Sequence, residues 1–291
     1  MIFKKIVLGS MLLLGFTTSI TASEFDDTLK LAEQGNAQAQ YELGRMYITG
    51  EGYIQDYPKA LEWFQKAAEQ GNVEAQFNLG DIYFYGYGVR QDNVKALEWY
   101  QKAAEQGYTD AQFNLGEMYF YQKDFAKALE WYQKAAEQGH AEAQTNLGVM
   151  YANEQDYTKA KEWFQKAIEQ GDAEAQFYLG WMNNYGKGVK QDSAKALESY
   201  QKAAEAGNLS AQLALGKMYY FGEGIQQDNA EAVKWLQKPA EVGIVEAKFY
   251  LGVLYSEGKG IKQNISKAKE YFSLACQNGY SDACDNLKKL K

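Results

Sequence analysis

The chain has 291 residues and a formal net charge of −8, with only two prolines beside 27 glycines and 23 tyrosines. An acidic chain lacks the basic surface that phosphate recognition requires, so nucleic acid is not an expected partner. Few prolines and frequent glycines fit helices that are separated by glycine turns. These features favour an all-α protein.

Residues 1–22 have the pattern of a secretory signal peptide. Lys4 and Lys5 precede a short apolar run, Ile6 to Phe16, and a small polar region ends at Ala22. We therefore expect cleavage after Ala22 and a mature chain, 23–291, in the periplasm or outside the cell. The alternative is a retained membrane anchor, which the short apolar run disfavours. The mature chain is expected to have no membrane span.

The stretch from Lys95 to Gly107, KALEWYQKAAEQG, recurs along the chain, and the glycine that closes each copy sets a period of 36 or 32 residues. The closing glycines are Gly35, Gly71, Gly107, Gly139, Gly171, Gly207, Gly243 and Gly279. A period in this range indicates stacked supersecondary units. The sequence thus predicts an α/α superhelical solenoid of seven helix-turn-helix repeats, with a half repeat at each end.

The predicted repeats one to seven are 39–74, 75–110, 111–142, 143–174, 175–210, 211–246 and 247–282. Each holds a helix A and a helix B. In helix A of repeat two, Leu79 lies on the apolar face, and Gly80 lets another helix come close. An aspartate such as Asp92 is expected to cap helix B, and the closing glycine to end it. Glutamate–lysine pairs four residues apart are expected on helix B; they are Glu62–Lys66, Glu98–Lys102, Glu130–Lys134 and Glu162–Lys166.

The residues of repeat two follow one pattern of apolar, glycine and aromatic positions. They are Ala75, Leu79, Gly80, Tyr83, Gly86, Gly88, Val89, Asp92, Lys95, Ala96, Trp99, Tyr100, Lys102, Ala103, Ala104 and Gly107. The pattern resembles the Sel-1-like repeat, a relative of the tetratricopeptide repeat. The resemblance implies a non-catalytic adaptor, monomeric and without cofactor, that binds a protein or peptide.

The last repeat resembles a cysteine-rich, secreted bacterial branch of this family. In that branch a cysteine late in helix B is bonded to one early in the next helix A, and Cys276 and Cys284 have the same spacing. The resemblance implies a disulfide between them; the alternative is a pair of buried free thiols.

Some members of the cysteine-rich branch have been described as penicillin-binding or β-lactamase-like. Ser266 and Lys269 fit the S-x-x-K motif, so a cell-wall or β-lactam hydrolase is the alternative function. However, no S-D-N or K-T-G motif accompanies it. The one histidine, His140, has no second histidine or nearby thiol, so neither a zinc site nor a triad is expected. We therefore predict no enzyme and no metal site.

A ligand groove is predicted on the A helices, which line the concave surface of tetratricopeptide-like stacks. Counting the repeat alanine as position 1, positions 4, 7 and 11 form one stripe. Asparagine offers amides to a peptide backbone, and tyrosine offers rings to its side chains. The predicted groove residues are Asn78, Asp81, Tyr85, Asn114, Glu117, Tyr121, Asn146, Tyr178, Trp181 and Tyr185. The alternatives are solvated or inter-repeat packing positions and a passive structural spacer.

Repeat five departs most from the pattern. Asn183 replaces the repeat tyrosine, Ser199 replaces the repeat tryptophan, and Trp181 stands at position 7. Trp181 is either an aromatic anchor of the groove or a filler of the volume lost at Ser199. In repeat six, Pro239 is expected to bend helix B near its end.

Overall fold

The computed structural model describes residues 22–50 and 54–290; the predicted signal peptide lies outside them, apart from its last residue. The described residues form sixteen α-helices and no strand. The helices are α1 Ala22–Glu33, α2 Ala37–Thr49, α3 Tyr57–Glu69, α4 Val73–Tyr85, α5 Asn93–Glu105, α6 Thr109–Tyr121, α7 Phe125–Glu137, α8 Ala141–Asn153, α9 Tyr157–Glu169, α10 Ala173–Tyr185, α11 Ser193–Glu205, α12 Leu209–Phe221, α13 Asn229–Glu241, α14 Val245–Glu257, α15 Ile265–Gln277 and α16 Ser281–Lys289.

The predicted all-α repeat fold is confirmed. Each repeat is a helical hairpin in which an even-numbered helix A packs against the odd-numbered helix B that follows it. Each helix A also packs against helix B of the repeat before it within the same compact unit. The chain divides into two such units, an N-terminal unit, Met1–His140, and a C-terminal unit, Ala141–Lys291.

Helix A begins two residues before the repeat alanine, earlier than the sequence predicts. In repeat two the reason is Asn72, whose side chain accepts a hydrogen bond from the backbone N–H of Ala75 at 2.8 Å. This N-cap satisfies a donor that the helix itself leaves unpaired, so the helix extends back to Val73. The repeat boundaries therefore lie two residues earlier than predicted.

The predicted ends of helix B are confirmed. In repeat two Asp92 accepts hydrogen bonds from the backbone N–H groups of Val94 and Lys95, both at 3.1 Å. Gly107 closes the helix with φ 89°, a conformation that side-chain-bearing residues rarely adopt. The same two devices recur in the other repeats, so the turns keep one geometry throughout.

The glycine inside each helix A lies under a large side chain of helix B. A Cβ atom at Gly80 would lie closer to the Tyr100 ring than real Cβ atoms approach. The seven glycine–side-chain pairs are Gly44–Phe64, Gly80–Tyr100, Gly116–Tyr132, Gly148–Phe164, Gly180–Tyr200, Gly216–Leu236 and Gly252–Phe272. This close approach confirms the packing role that the sequence predicts for Gly80.

Lysines cover the aromatic residues of most repeats. In repeat two the Lys95 ammonium lies 5.0 Å from the centre of the Tyr83 ring, and the Lys102 ammonium lies 3.9 Å from the Trp99 ring. Cation–π attraction holds such lysines over the rings. The predicted glutamate–lysine pairs were mostly wrong, although the two contacts are compatible, since Lys134 lies 4.0 Å from the centre of the Trp131 ring and also forms an ion pair. Among the described residues only one of the four predicted pairs, Lys134–Glu130, forms an ion pair, at 2.7 Å.

The end of the chain is held by a covalent bond. Cys276 in α15 and Cys284 in α16 form a disulfide, with Cα atoms 4.8 Å apart. In the preceding repeat, α13 continues through the buried Pro239 as far as Glu241. Proline therefore stands inside this helix and does not end it.

Candidate functional site

Two of the predicted groove residues in the N-terminal unit are buried. Asn78 is 6% exposed, and its side-chain amide donates a hydrogen bond to the Glu74 carbonyl at 2.9 Å. Asp81 is 5% exposed and accepts a hydrogen bond from the Tyr100 hydroxyl at 2.6 Å. Positions 4 and 7 of repeat two therefore lie in the packing between helices.

Burial raises the pKa of the Asp81 carboxyl to about 7, because the charged form loses hydration. The hydrogen bond from Tyr100 acts against this rise, and the negative charge of Asp110 adds to it. Burial also raises the pKa of the Tyr100 hydroxyl well above its usual value. Asp81 is thus an acid whose charge changes near neutral pH.

The other predicted groove residues of this unit are more accessible. Asn114 and Glu117 are half-buried, and Glu117 accepts a hydrogen bond from Tyr132. The half-buried Tyr85 stacks on Tyr87 with ring centres 5.5 Å apart, whereas Tyr121 is 61% exposed. Among the predicted groove residues of this unit, the accessible rings thus lie at position 11.

The C-terminal unit also carries aromatic residues along its A helices. Tyr178 stacks on the buried Phe164 at 5.3 Å between ring centres. Trp181 is half-buried and packs against two core clusters, one around Phe164 and Met182 and one around Tyr200 and Leu215. Its ring centre lies 5.9 Å from that of Tyr185, which is 59% exposed.

The half-buried Asn146 lies on α8 of the same unit. The predicted residues of this unit thus range from stacked to exposed, and α10 carries three of them.

Positions 4, 7 and 11 also carry accessible side chains on α12 and α14, outside the ten predicted groove residues. Lys217 forms an ion pair with Glu246 at 2.7 Å, which ties α12 to α14. Phe221 is 50% exposed, and its ring centre lies 5.7 Å from that of Tyr250. The signal was present in the sequence, because Phe221 stands at the same position 11 as Tyr121 and Tyr185.

His140, Ser266 and Lys269 are the residues that the sequence offered for chemistry. His140 stacks on Phe113 at 4.4 Å, and its Nε2 lies 3.7 Å from Asp110 Oδ1. Burial lowers the pKa of His140, and Asp110 acts against this. Ser266 and Lys269 are both exposed in the first turn of α15.

Two features are absent from the described ranges, 22–50 and 54–290. These ranges hold no group of three or more His, Cys, Asp or Glu side chains that could bind a metal ion. No helix in these ranges is both long and apolar enough to cross a membrane.

Seven consecutive segments of the chain match the Sel1 repeat family. They are 37–72, 73–108, 109–140, 141–172, 173–208, 209–243 and 245–280. These segments agree with the helix bounds, since each begins at the first residue of a helix A.

Solved structures also indicate the Sel1 repeat family. The chain is similar to c5321, a protective antigen present in uropathogenic Escherichia coli strains, with 37% identity and a TM-score of 0.82. The match covers 91% of this chain but 59% of that one, so this chain spans less than two thirds of the antigen.

A Sel1 repeat protein from Oxalobacter formigenes is similar at 31% identity and a TM-score of 0.77, over 98% of this chain and 85% of that one. No curated protein matches the chain. The repeat matches and these two structures agree, and the chain belongs to the Sel1 repeat family.

Proposed function

We propose that this protein is an exported, non-catalytic binding module that recognises a peptide segment of a protein partner through the A helices of its C-terminal unit. Sel1 repeat proteins are generally protein-interaction modules. The observation that carries the proposal is the accessible aromatic surface of α10, α12 and α14, which we call the aromatic surface. It consists of Tyr178, Trp181, Tyr185, Lys217, Phe221 and Tyr250.

The aromatic surface has the composition of a recognition site. Tyr185 is 59% exposed and Phe221 is 50% exposed, although both side chains are large and mostly apolar. Tyrosine and tryptophan lose little side-chain entropy for the area that they bury, which is why they dominate binding hot spots. Lys217 adds a cation at the edge of the surface, although Glu246 offsets its charge.

The N-terminal unit supports this choice by contrast. Its positions 4 and 7 in repeat two are occupied by the buried Asn78 and Asp81, which are committed to intramolecular hydrogen bonds. These side chains therefore serve packing, which leaves Tyr85 at position 11 for a ligand in repeat two; Tyr121 holds the same position in repeat three. We assign these two residues a secondary role in binding.

Export is supported by the sequence pattern of residues 1–22 and by the Cys276–Cys284 disulfide, since such bonds persist in oxidising compartments. Sequencing the N-terminus of the exported protein should give Ser23 as the first residue. A chain that retains Met1 would contradict cleavage.

A hydrolase acting on β-lactams has weaker support. Ser266 and Lys269 lie exposed on one helix turn, and a catalytic serine needs a base and an oxyanion site around it. Hydrolysis of a β-lactam that is lost in Ser266→Ala would favour this second function.

Peptide selection and crosslinking test the binding function. A displayed library of random dodecapeptides is selected on the full mature chain, and an enriched peptide is remade with a photoreactive benzophenone. We expect the crosslinks to map to α10 and α12. Crosslinks confined to the exposed Glu162 face of α9, or no enrichment of any peptide, would contradict the proposal.

A further inference from the structure

Repeat five contains a cavity of about 500 Å³ between its own helix hairpin and helix B of repeat four. Asn183 of α10 and Lys195 of α11 line it, together with Lys190 of the loop between them. Lys161 of α9 lines the side that belongs to repeat four. The cavity lies within the C-terminal unit, and Trp181 and the other residues of the aromatic surface do not line it.

Two exchanges of apolar for polar residues meet at this cavity. Lys161 stands where repeats one, two, three and five carry leucine, and Asn183 stands where the other six repeats carry tyrosine. In repeats one and two the corresponding Leu61 and Tyr83 pack together with Val89 in one apolar core cluster. Repeats four and five have thus replaced an apolar contact with an amine and an amide.

Because Asn183 replaces the repeat tyrosine, the surroundings of Lys195 also change. The corresponding lysines of repeats two, three and four lie over the repeat tyrosine, with ammonium groups 4.9–5.0 Å from the ring centres. Lys195 has no such ring, and its side chain is 70% exposed, against 56% for Lys127 and Lys159. Its Nζ lies 3.6 Å from Asp192.

The charge inside the cavity is positive although the chain is acidic. Three lysines and one aspartate, Asp192, line it. Among the described residues no carboxylate lies within 4 Å of the ammonium groups of Lys161 or Lys190. Lys161 is half-buried, whereas Lys190 and Lys195 are exposed at the mouth of the cavity.

We propose that this cavity binds a small organic anion whose carboxylate or phosphate oxygens are held by Lys161, Lys190 and Lys195. The volume lies within the range of small-molecule sites. Leu179 supplies an apolar wall, so the cavity suits an anion with a short carbon skeleton. The proposal is independent of peptide binding at the aromatic surface.

Calorimetric titration of the full mature chain tests this inference. Citrate and inorganic phosphate are the probes, at an ionic strength of about 20 mM so that screening is weak. We expect saturable binding of at least one of the two at a single site, and the comparison tells whether carboxylate or phosphate is preferred. The chain's net charge of −8 repels anions, so saturable binding requires a local positive site.

Two variants should remove the binding. Lys161→Leu restores the residue of four other repeats and should weaken binding about tenfold or more, the loss expected for one well-placed charge. Asn183→Tyr restores the repeat tyrosine and should draw the Lys195 ammonium over its ring and away from the anion, as in repeats two, three and four, while Lys161→Arg should retain the affinity.

The matched control is Arg90→Gln. Arg90 lines the corresponding cavity of repeat two, where Tyr83 is still present. This variant should bind the anion as wild type does. An equal loss in Arg90→Gln and Lys161→Leu, or no saturable binding of either anion by wild type, would overturn the proposal.

Discussion

Repeats two and five have the same length and the same turns, yet the side chains at corresponding positions pack differently. In repeat two, Tyr83 and Trp99 lie under lysines, and Asp81 is buried against Tyr100. In repeat five the tyrosine and the tryptophan are replaced, and Trp181 stands in the place of Asp81. The same backbone thus carries a buried acid and lysine-covered rings in one repeat and an aromatic surface with a lysine-lined cavity in the other, depending on a few side chains.

The largest expected effect comes from giving repeat two the side chains of repeat five. Tyr83→Asn combined with Trp99→Ser should lower the free energy of unfolding by about 4 kcal/mol, since two large half-buried rings and their cation–π contacts are lost. Urea unfolding followed by circular dichroism measures this. The reverse exchange, Asn183→Tyr with Ser199→Trp, serves as the control and should not destabilise. A loss of similar size in both variants would show that the two repeats do not differ in this way.

Replacing the glycine inside helix A should cause a smaller loss of stability. The loss should be the same in repeats two and five, because it depends on the backbone that they share. Gly80→Ala and Gly180→Ala each place a Cβ against a tyrosine ring of helix B. Each should cost about 2 kcal/mol, since the strain of overpacking exceeds the gain in helix propensity. Thermal melts check this, with the exposed Glu98→Ala as a control. A neutral result at either glycine would mean that the tyrosine ring has room to move.

The smallest expected effect is a pH dependence of stability that comes from Asp81 of repeat two. Repeat five has Trp181 at this position. The pKa of Asp81 is about 7 in the folded chain and near 4 when unfolded. The folded state therefore binds more protons between these values, and the contribution of Asp81 to stability falls as pH rises from 4 to 7. Asp81→Asn should stabilise the chain at pH 8 by about 1 kcal/mol, because the amide accepts a weaker hydrogen bond from Tyr100 than the carboxylate does, which offsets most of the relief.

The control for this pH effect is Glu105→Gln, which removes an exposed charge. Urea unfolding at pH 5 and pH 8 should show the gain of Asp81→Asn shrinking at the lower pH. A gain that is constant across this range would contradict the account of a buried acid.

The sequence predicted the helices, the caps and the glycine contacts because each depends on residues close together in the chain. Asp92 caps the helix that follows it, and Gly80 meets Tyr100 of the same repeat. Burial of Asn78 and Asp81 was not predictable from one helical face, because α4 packs against both α3 and α5. The buried arc of such a helix is wider than that of a helix with a single packed face.

The cavity of repeat five could not be predicted from the sequence either. Lys161 and Asn183 are each visible as departures from the repeat, but they belong to different repeats. Only the structure places helix B of one repeat against the hairpin of the next, so that the two exchanges line one cavity.

The measurement that tests the account most directly is a binding titration of a library-selected dodecapeptide, made beside thermal melts of Trp181→Ala and Trp99→Ala. We expect Trp181→Ala to weaken peptide binding by about 30-fold or more, a typical hot-spot loss. The same variant should lower the melting temperature less than Trp99→Ala does. Trp99→Ala should keep the affinity. The account would be contradicted if Trp181→Ala lowered the melting temperature strongly and left the affinity unchanged, because Trp181 would then fill the core and would not contact the ligand.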